Sequence, residues 1–406
     1  MSGANLPTLR SHNAALVLEL LRVAGERGIS RLELAERTGL TPQAVSKITA
    51  RLRAEGLATE AGHRASTGGK PRTVLRLVPD AGHAIGLYLD RDELTVALVD
   101  LAGTVAESRT APLDFGAPAD EVLATAAYAV ASVRGGGVGV VPSVRDVDAG
   151  SASSVRDVDA GSVSSVRDGG AGAAPVARLA GRPVLGVGVA VPGPLDHRGG
   201  VLHRVTGFPQ WDGYPLRDAL AARTGLPVVV DKDTNAAALG LAVRAADAGD
   251  FAYLHLGTGL GAGLVLGGEV HRGARTGAGE FGHQTVQLDG PVCGCGGRGC
   301  IEALCLAAVA RGDVAEAARV LGTGAANLVG LLDIDRVVLG GRTVAADPDA
   351  YVRGVRAVID ERARLGGVDA PVPVTAAGGG DRPVAEGAAQ LVLAPLFGRV
   401  AGADGG

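Results

Sequence analysis

GAGEFGHQTVQLDGPVCGCGGRGCIE, residues 277–302, is the stretch of sequence that says most about the fold of this chain. It holds three thiols close together, Cys293, Cys295 and Cys300, and His283 lies a short way upstream of them. Three sulfurs and one imidazole make a complete tetrahedral ligand set for Zn²⁺, with no position left open for catalysis. A disulfide is a weaker interpretation because a Cys-x-Cys bridge is strained, and buried free thiols are a further alternative. We predict a structural zinc site.

The same stretch has consequences for the residues beside it. A zinc site with an apparent binding energy on the order of 10 kcal/mol would fix the local loop and hold His283 and Glu302 in place. Cys305 is expected to be a small buried residue on the following helix. All four cysteines lie within residues 293–305, which is a poor arrangement for the disulfide bonds that stabilise secreted proteins. No apolar run approaches the thickness of a bilayer and no leader pattern is visible, so the sequence predicts a cytoplasmic protein.

Outward from this stretch, apolar runs end in glycine-rich turns. The runs lie at 184–191, 228–230, 251–256, 261–266 and 337–339, and helical patterns separate them. Strands that alternate with helices and end in glycine turns predict an α/β fold with ligand sites at the strand ends.

An internal repeat interrupts this pattern. The segment SVRDVDAG at 143–150 recurs from Ser154 and, in truncated form, from Ser165. It contains no apolar residue larger than valine, so it cannot bury enough surface to order itself. We predict that 135–178 is a low-complexity, disordered loop insertion.

The first 79 residues have another pattern, that of three short helices. A helix is predicted at 13–25, whose core face at helical spacing is formed by Leu16, Leu20, Leu21 and Ala24. Ser30-Arg31-Leu32-Glu33 is a capping box that starts a second helix, which Gly39 ends. Thr41-Pro42 starts a third, because threonine caps its first amides and proline suits its first turn.

The third helix has a polar outer face opposite Val45, Ile48 and Leu52. That face carries Gln43, Ala44, Ser46, Lys47 and Arg51. Glutamine can read base edges in a major groove, whereas lysine and arginine neutralise phosphates.

Two strands, predicted at 57–60 and 72–78, enclose a basic glycine-rich loop. Its Lys70 and Arg72 suit a wing that lies along a DNA backbone or minor groove. A three-helix protein-interaction domain is the alternative. Capped helices with a basic outer face and a basic hairpin favour a winged helix-turn-helix that binds double-stranded DNA.

Charge divides the chain in the same way. Residues 1–79 hold 12 Lys and Arg against 6 Asp and Glu, and the remainder holds 27 against 37. A basic small domain on an acidic large one suits a polyanion ligand at one end, although ordinary surface charge is the simpler explanation. Pro79-Asp80-Ala81-Gly82 breaks the pattern, so we predict a DNA-binding domain at 1–79 and a second unit at 80–406.

The motifs of the second unit resemble those of the ROK family (repressors, open reading frames, kinases). The matching stretches are PGPLD at 192–196, FPQW at 208–211, DTNAAA at 233–238, GTGLGAG at 257–263 and the opening stretch. The resemblance covers nearly all of 80–400. With the N-terminal winged helix, the chain looks like the xylose-repressor and N-acetylglucosamine-repressor branch.

The resemblance implies an actin-like, two-lobed sugar kinase fold with a sugar between the lobes. The residues that match the family's sugar ligands are Asp233, Glu280, His283 and Glu302. Carboxylates and an imidazole suit this role because sugar hydroxyls present donors that such acceptors can meet. In the kinases of the family, the residue matching Asp233 is the general base.

Two departures from the family bear on function. The kinases open with an Asp-x-Gly-Gly-Thr loop that approaches ATP through bare backbone, whereas this chain has Tyr88, Asp90, Arg91 and Asp92 there. Acidic side chains repel a polyphosphate, and phosphoryl transfer depends on positioning and charge stabilisation, so we predict no kinase activity. Lys232 replaces the asparagine that usually precedes the aspartate, and it is expected to pair with Asp233 or Asp231. The substitution indicates either an effector that carries an anionic group or a sugar site that has decayed.

The leading hypothesis is a homodimer or dimer of dimers that binds a pseudo-palindromic operator and responds to a sugar or sugar derivative, usually as a repressor. An ATP-dependent sugar kinase with an appended DNA-binding domain is one alternative. A ligand-independent DNA-binding regulator with a vestigial sugar lobe is another.

Overall fold

The structure is a computed structural model that describes residues 12–64, 72–134, 177–179, 182–245, 249–367 and 372–399. The repeats and most of the predicted insertion lie outside these residues. Ala177–Leu179, at the end of that segment, forms a short strand. It pairs antiparallel with the first residues of the next strand.

The N-terminal domain consists of three helices and a small sheet. Its elements are α1 (His12–Ala24), β1 (Ile29–Ser30), α2 (Arg31–Thr38), α3 (Pro42–Ala54), β2 (Ala58–Arg64) and β3 (Arg72–Leu77). The capping box at Ser30 and Glu33 is confirmed, and Gly39 ends α2 in the left-handed conformation. The Thr41 hydroxyl accepts a hydrogen bond from the Ala44 amide at 3.2 Å, so the cap of α3 is confirmed as well.

Helix α1 is buried differently from the prediction. The sequence placed Leu16 and Leu20 on its core face, but both are only half-buried. Val17 and Leu18 are fully buried instead. The helix is covered on two sides, because it packs into its own domain and also against the C-terminal end of the second unit.

The first lobe is a mixed sheet with helices on it. Its main elements are β4 (His83–Leu89), β5 (Glu93–Asp100), β6 (Val105–Pro112), α4 (Ala119–Arg134), β7 (Ala177–Leu179), β8 (Arg182–Val191), β9 (Leu195–Asp196), β10 (Val201–Leu202), α5 (Leu216–Thr224) and β11 (Val228–Lys232). The strand order is β11-β8-β4-β5-β6, with β7 pairing to β8.

The second lobe repeats this arrangement. Its elements are α6 (Asp233–Arg244), β12 (Phe251–Leu256), β13 (Leu260–Leu266), β14 (Glu269–Val270), α7 (Ile301–Ala310), α8 (Val314–Leu332), β15 (Arg336–Gly340), α9 (Arg342–Ala346), α10 (Pro348–Leu365) and β16 (Val374–Ala376). The last helix, α11 (Arg382–Leu393), returns to the first lobe. The strand order is β14-β13-β12-β15-β16. In both lobes three consecutive antiparallel strands are extended by two parallel strands on the other side of the first.

Helices α6 and α11 lie between the two sheets. Glycines in the strands allow this close packing: a Cβ added at Gly188 of β8 would come within 1.8 Å of the Ala388 carbonyl oxygen on α11. A Cβ at Gly263 of β13 would come within 2.1 Å of the Thr234 carbonyl oxygen on α6. Helix α11 therefore packs on the first lobe and α6 on the second, and the two helices pack on each other.

Within the described residues, no helix combines the length and the apolar character needed to cross a membrane.

Candidate functional site

A cleft with about 660 Å³ of empty volume lies between the two lobes. All four residues that the family resemblance assigned to a sugar, Asp233, Glu280, His283 and Glu302, line it. Three chain segments supply them: the first turn of α6, residues 280–283 with the short 3-10 helix Phe281–His283, and the first turn of α7. The structure thus brings together side chains that are far apart in sequence, at the ends of strands where α/β folds bind ligands.

Asp233 is the first residue of α6, directly after β11. Burial raises the pKa of its carboxyl group from the ordinary value to about 6, although His255, the Thr234 amide and Lys232 act in the opposite direction. Its Oδ1 accepts a hydrogen bond from the Thr234 amide at 2.7 Å. A carboxylate with this pKa changes its charge near neutral pH, which matters for a ligand that donates hydrogen bonds to it.

Lys232 does not pair with either aspartate that the sequence suggested. Its Nζ donates to Glu280 Oε1 and to the Ala278 carbonyl oxygen, both at 2.7 Å. Asp231 is occupied instead by Arg272, whose Nε lies 2.7 Å from Oδ2 in a buried ion pair. The prediction failed because the carboxylates nearest in sequence are already used or point elsewhere, whereas the long lysine side chain reaches the loop across the cleft.

Glu302 and His283 connect the cleft to the cysteine cluster. Glu302 Oε2 accepts a hydrogen bond from the Leu260 amide at 2.9 Å, which orients the carboxylate beside the cleft. The Nδ1 atom of His283 lies 3.8 Å from Cys293 Sγ. One imidazole thus faces the cluster through Nδ1 while its residue also lines the cleft.

The cysteine cluster has the geometry of a metal site. One ligand atom from each of His283, Cys293, Cys295 and Cys300 lies within 4.8 Å of the others. The Sγ atoms of Cys295 and Cys300 are 3.8 Å apart. Tetrahedral thiolates on Zn²⁺, with bonds of about 2.3 Å, lie about 3.8 Å from each other, so the donor set and its spacing fit zinc.

All four cysteines are free of disulfide bonds. Cys305 lies away from the cluster on α7, fully buried, as predicted. Its Sγ lies 3.4 Å from the Ala317 carbonyl oxygen.

The end of the cleft nearest the loop at Tyr88 to Asp92 is spanned by polar contacts between the lobes. Thr258 Oγ1 donates to Asp90 Oδ1 at 2.8 Å, and Arg342 Nη2 donates to both carboxylate oxygens of Asp92 at 2.7 and 2.8 Å. The sequence analysis named the two acids but missed Arg342. A single arginine after the Gly340-Gly341 turn carries no sequence signal that would identify its partner.

The predicted DNA-binding face lies largely on the surface. Gln43, Ser46 and Lys47 are exposed on α3, and Ala44 is half-buried. Arg51 is also half-buried, and its Nε and Nη2 atoms are buried without a hydrogen-bond partner. Arg51 is therefore less exposed than Gln43, Ser46 and Lys47 of the same face. Lys70 and the side chain of Arg72 lie outside the described part of the chain.

Comparison with known proteins agrees with this architecture. Residues 175–310 match the ROK family model, and residues 16–59 match the model for winged helix-turn-helix DNA-binding domains. A putative xylose repressor of Caldicellulosiruptor sp. (strain Rt8B.4) is 25% identical over 402 residues, which cover 88% of this chain and 90% of that protein. A glucokinase of Thermotoga maritima is 42% identical over 128 residues, 31% of this chain and 40% of the enzyme.

One solved structure covers both domains. The crystal structure of a ROK family transcriptional regulator, a homolog of the E. coli MLC protein, matches with a TM-score of 0.68 at 21% identity and covers 95% of this chain and 97% of that one. Fold and site together define a winged-helix DNA-binding domain on a two-lobed, actin-like sugar kinase fold. The match of residues 175–310 to the ROK family model lies within the two-lobed unit and agrees with the sequence motifs.

Proposed function

We propose that this protein is a sugar-responsive, DNA-binding transcriptional regulator that represses carbohydrate metabolism genes. The observation that carries the proposal is the presence in one chain of an exposed polar face on α3 and of a cleft between the lobes lined by Asp233, Glu280, His283 and Glu302. The polar face of α3 suits insertion into a DNA major groove, and the acceptors in the cleft suit the hydroxyl groups of a sugar. The similarity to a putative xylose repressor over most of both chains supports the combination.

DNA reading rests on the first turns of α3. Gln43 and Ser46 would contact base edges there, Ala44 would allow close approach, and Lys47 would neutralise a phosphate. A homodimer would present two such helices to the two halves of a pseudo-palindromic operator. Lys70 and Arg72 of the hairpin would add backbone contacts.

The cleft would bind the sugar through hydrogen bonds to its hydroxyl groups. Glu302 and His283 would be held in place by the loop that His283, Cys293, Cys295 and Cys300 fold around a Zn²⁺ ion. In that arrangement zinc has a structural role, because four protein ligands complete its coordination. The Lys232–Glu280 ion pair reduces the acceptor capacity of Glu280, so the preferred effector would differ from that of a chain with asparagine at this position.

Loss of kinase activity is part of the proposal. Asp90 and Asp92 replace the small residues that an ATP phosphate chain requires, and their carboxylates already bond to Thr258 and Arg342. A sugar kinase remains the second candidate because Asp233 keeps the position and a pKa of about 6 that suit a general base. ATP-dependent phosphorylation of D-glucose or D-xylose by the purified protein would favour that candidate.

Operator binding titrated with sugars tests the main proposal. A duplex is first selected from a randomised pool by the full-length protein, and its dissociation constant is then measured with D-xylose, D-glucose and their phosphates. We expect at least one of them to change operator affinity by about 5- to 150-fold, the usual range of coupling between two sites. Operator affinity that stays constant across a panel of sugars would contradict the sensor function.

The pKa of Asp233 predicts how sugar binding depends on pH. Only the ionised carboxylate accepts hydrogen bonds from two hydroxyl groups without donating, and with a pKa of about 6 that form is lost as the pH falls below 6. Sugar affinity should therefore be constant above pH 7 and fall about 10-fold between pH 7 and pH 5. Calorimetric titration across this range measures the effect, and an Asp233→Asn variant should bind weakly with no such step. A wild-type affinity that does not change with pH would count against ionised Asp233 as a sugar ligand.

A further inference from the structure

Helix α6 connects the cleft to the DNA-binding domain directly. It begins at Asp233 in the cleft and ends at Arg244, about 18 Å away at 1.5 Å per residue. The carbonyl groups of its last turn have no partners within the helix and need external donors. Arg22 of α1 supplies one of them, since its Nη2 donates to the Val243 carbonyl oxygen at 3.2 Å.

Helix α11 reaches the same place from the other lobe. It continues into a 3-10 helix, Ala394–Phe397, which is followed by Arg399. Arg399 Nη1 donates to the Ala242 carbonyl oxygen of α6 at 3.1 Å. Its Nη2 lies 3.0 Å from Glu19 Oε1 on α1, and the Arg22 guanidinium lies 5.3 Å from the centre of the Phe397 ring.

Glu19, Arg22 and Arg399 thus form one cluster, which we call the triad. Glu19 accepts two hydrogen bonds from Arg22 at 2.7 Å and one from Arg399. Burial opposes ionisation of Glu19, but the two guanidinium groups outweigh it and lower the pKa of this carboxyl group below its ordinary value. The Glu19 and Arg22 side chains are only 17% and 10% exposed, so their interaction is less screened than that of a surface pair.

The contact between α6 and α11 is suited to sliding. A Cβ added at Gly240 of α6 would come within 2.9 Å of the Gly387 Cα on α11, so the two backbones are in contact there. Because each helix packs on a different lobe, any change in the angle between the lobes moves one helix along the other. The ends of both helices then shift relative to each other at the triad.

We propose that the triad couples opening and closing of the cleft to the position of the DNA-binding domain. Helix α1 is attached to the end of α6 through Arg22 and to the end of α11 through Phe397 and Arg399. A ligand that bridges Asp233 and first-lobe residues of the cleft, such as Asp90 and Arg91, would change the angle between the lobes. The triad would pass this movement to α1 and through it to α3. The proposal rests on the proposed function, because it requires a cleft ligand and a DNA ligand.

A double variant, Glu19→Gln with Arg399→Gln, tests the coupling. It removes two charges of opposite sign together with the hydrogen bonds of Arg399 to Glu19 and to the Ala242 carbonyl. Neither residue lies in the cleft or on the DNA-binding face. The matched control is Asp120→Asn with Arg223→Gln, which removes an ion pair between α4 and α5 on the first lobe. Three quantities are compared: affinity for D-xylose or D-glucose, affinity for a single half-site duplex, and the ratio of full-operator affinities with and without sugar.

We expect the double variant to keep its sugar and half-site affinities within about threefold of wild type while the operator ratio falls toward 1. The control variant should keep the wild-type ratio. A purely structural role would lower all three quantities together. An unchanged ratio in the double variant would overturn the proposal.

Hydrogen exchange provides a second measurement that needs only one of the two ligands. In wild type, binding of either the selected duplex or the sugar should change amide exchange both in α1 and at residues 239–245. In the double variant, the duplex should change exchange only in α1, and the sugar only at residues 239–245. Identical changes in the two proteins, or no change at the far end in wild type, would overturn the coupling. If neither sugar alters operator binding by wild type, the sensor function fails, and exchange on duplex binding still decides the coupling.

Discussion

Cys295→Ser is expected to release one zinc ion per chain and to lower the melting temperature by about 10 °C or more. Cys295 is exposed, so the loss of its sulfur costs little packing, and a large effect can arise only through the metal. Structural zinc sites contribute on the order of 10 kcal/mol in apparent binding energy, and for a domain of this size each 1 kcal/mol corresponds to about 2–4 °C. Metal content by mass spectrometry and melting by calorimetry measure both outcomes.

Cys305→Ala is the matched control for this experiment. Cys305 is fully buried on α7 and lies outside the cluster. If the cysteines were only buried thiols, this variant would be the more harmful of the two. We expect the Cys305→Ala variant to keep its zinc. Its free energy of unfolding should fall by no more than about 1–2 kcal/mol, because the cavity left by the sulfur is small. A Cys295→Ser protein with full metal content and wild-type melting would refute the zinc site.

Cys295→Ser should also weaken sugar binding. His283 and Glu302 line the cleft from either side of the cysteine loop, and both lose support when that loop is no longer held. Sugar affinity and melting temperature should therefore fall together in this variant.

Lys47→Glu is expected to lower operator affinity by about 100-fold or more at moderate salt. Lys47 is exposed on α3, on the same face as Gln43 and Ser46. The substitution removes one phosphate contact and adds a repulsive charge, and a dimer would suffer both effects twice. Gel-shift or fluorescence anisotropy titrations at several salt concentrations measure the loss.

The salt series separates contact loss from general charge repulsion. Lys47→Ala should reduce the slope of log affinity against log salt by about 1 per protomer and weaken binding similarly for all sequences. Arg353→Glu is the charge-matched control, because Arg353 is exposed on α10 in the second lobe. An equal loss of affinity in Arg353→Glu and Lys47→Glu would show that net charge, and not α3, governs DNA binding.

Local sequence patterns predicted much of the fold because their physical basis is local. Ser30 and Glu33 satisfy each other's amides across one turn, and this is visible in four letters of sequence. The same holds for Thr41 and Pro42 at the start of α3, and for the glycine turns that end the strands of both lobes. The His283–cysteine cluster is similarly compact, since three of its four residues lie within one loop.

Long-range pairing was less predictable because several partners are chemically equivalent in sequence. Lys232 stands beside Asp231 and Asp233, yet its amine bonds to Glu280 of the other lobe. Arg342 pairs with Asp92, 250 positions away, and nothing near either residue indicates the other. Which acceptor a flexible cation takes depends on where the backbone carries it and on which carboxylates are already occupied.

The sequence by itself determined the winged helix-turn-helix, the α/β class of the larger unit and the composition of the His283–cysteine cluster. Helix caps, the alternation of strands with helices and the spacing of the cysteines are patterns that act over a few residues. Only the tertiary structure decided that α1 is buried on two sides and joined to the ends of α6 and α11 by Glu19, Arg22 and Arg399. Arg22 and the Val243 carbonyl are 221 positions apart. Their contact exists because two lobes close on each other and bring two helix ends to one place.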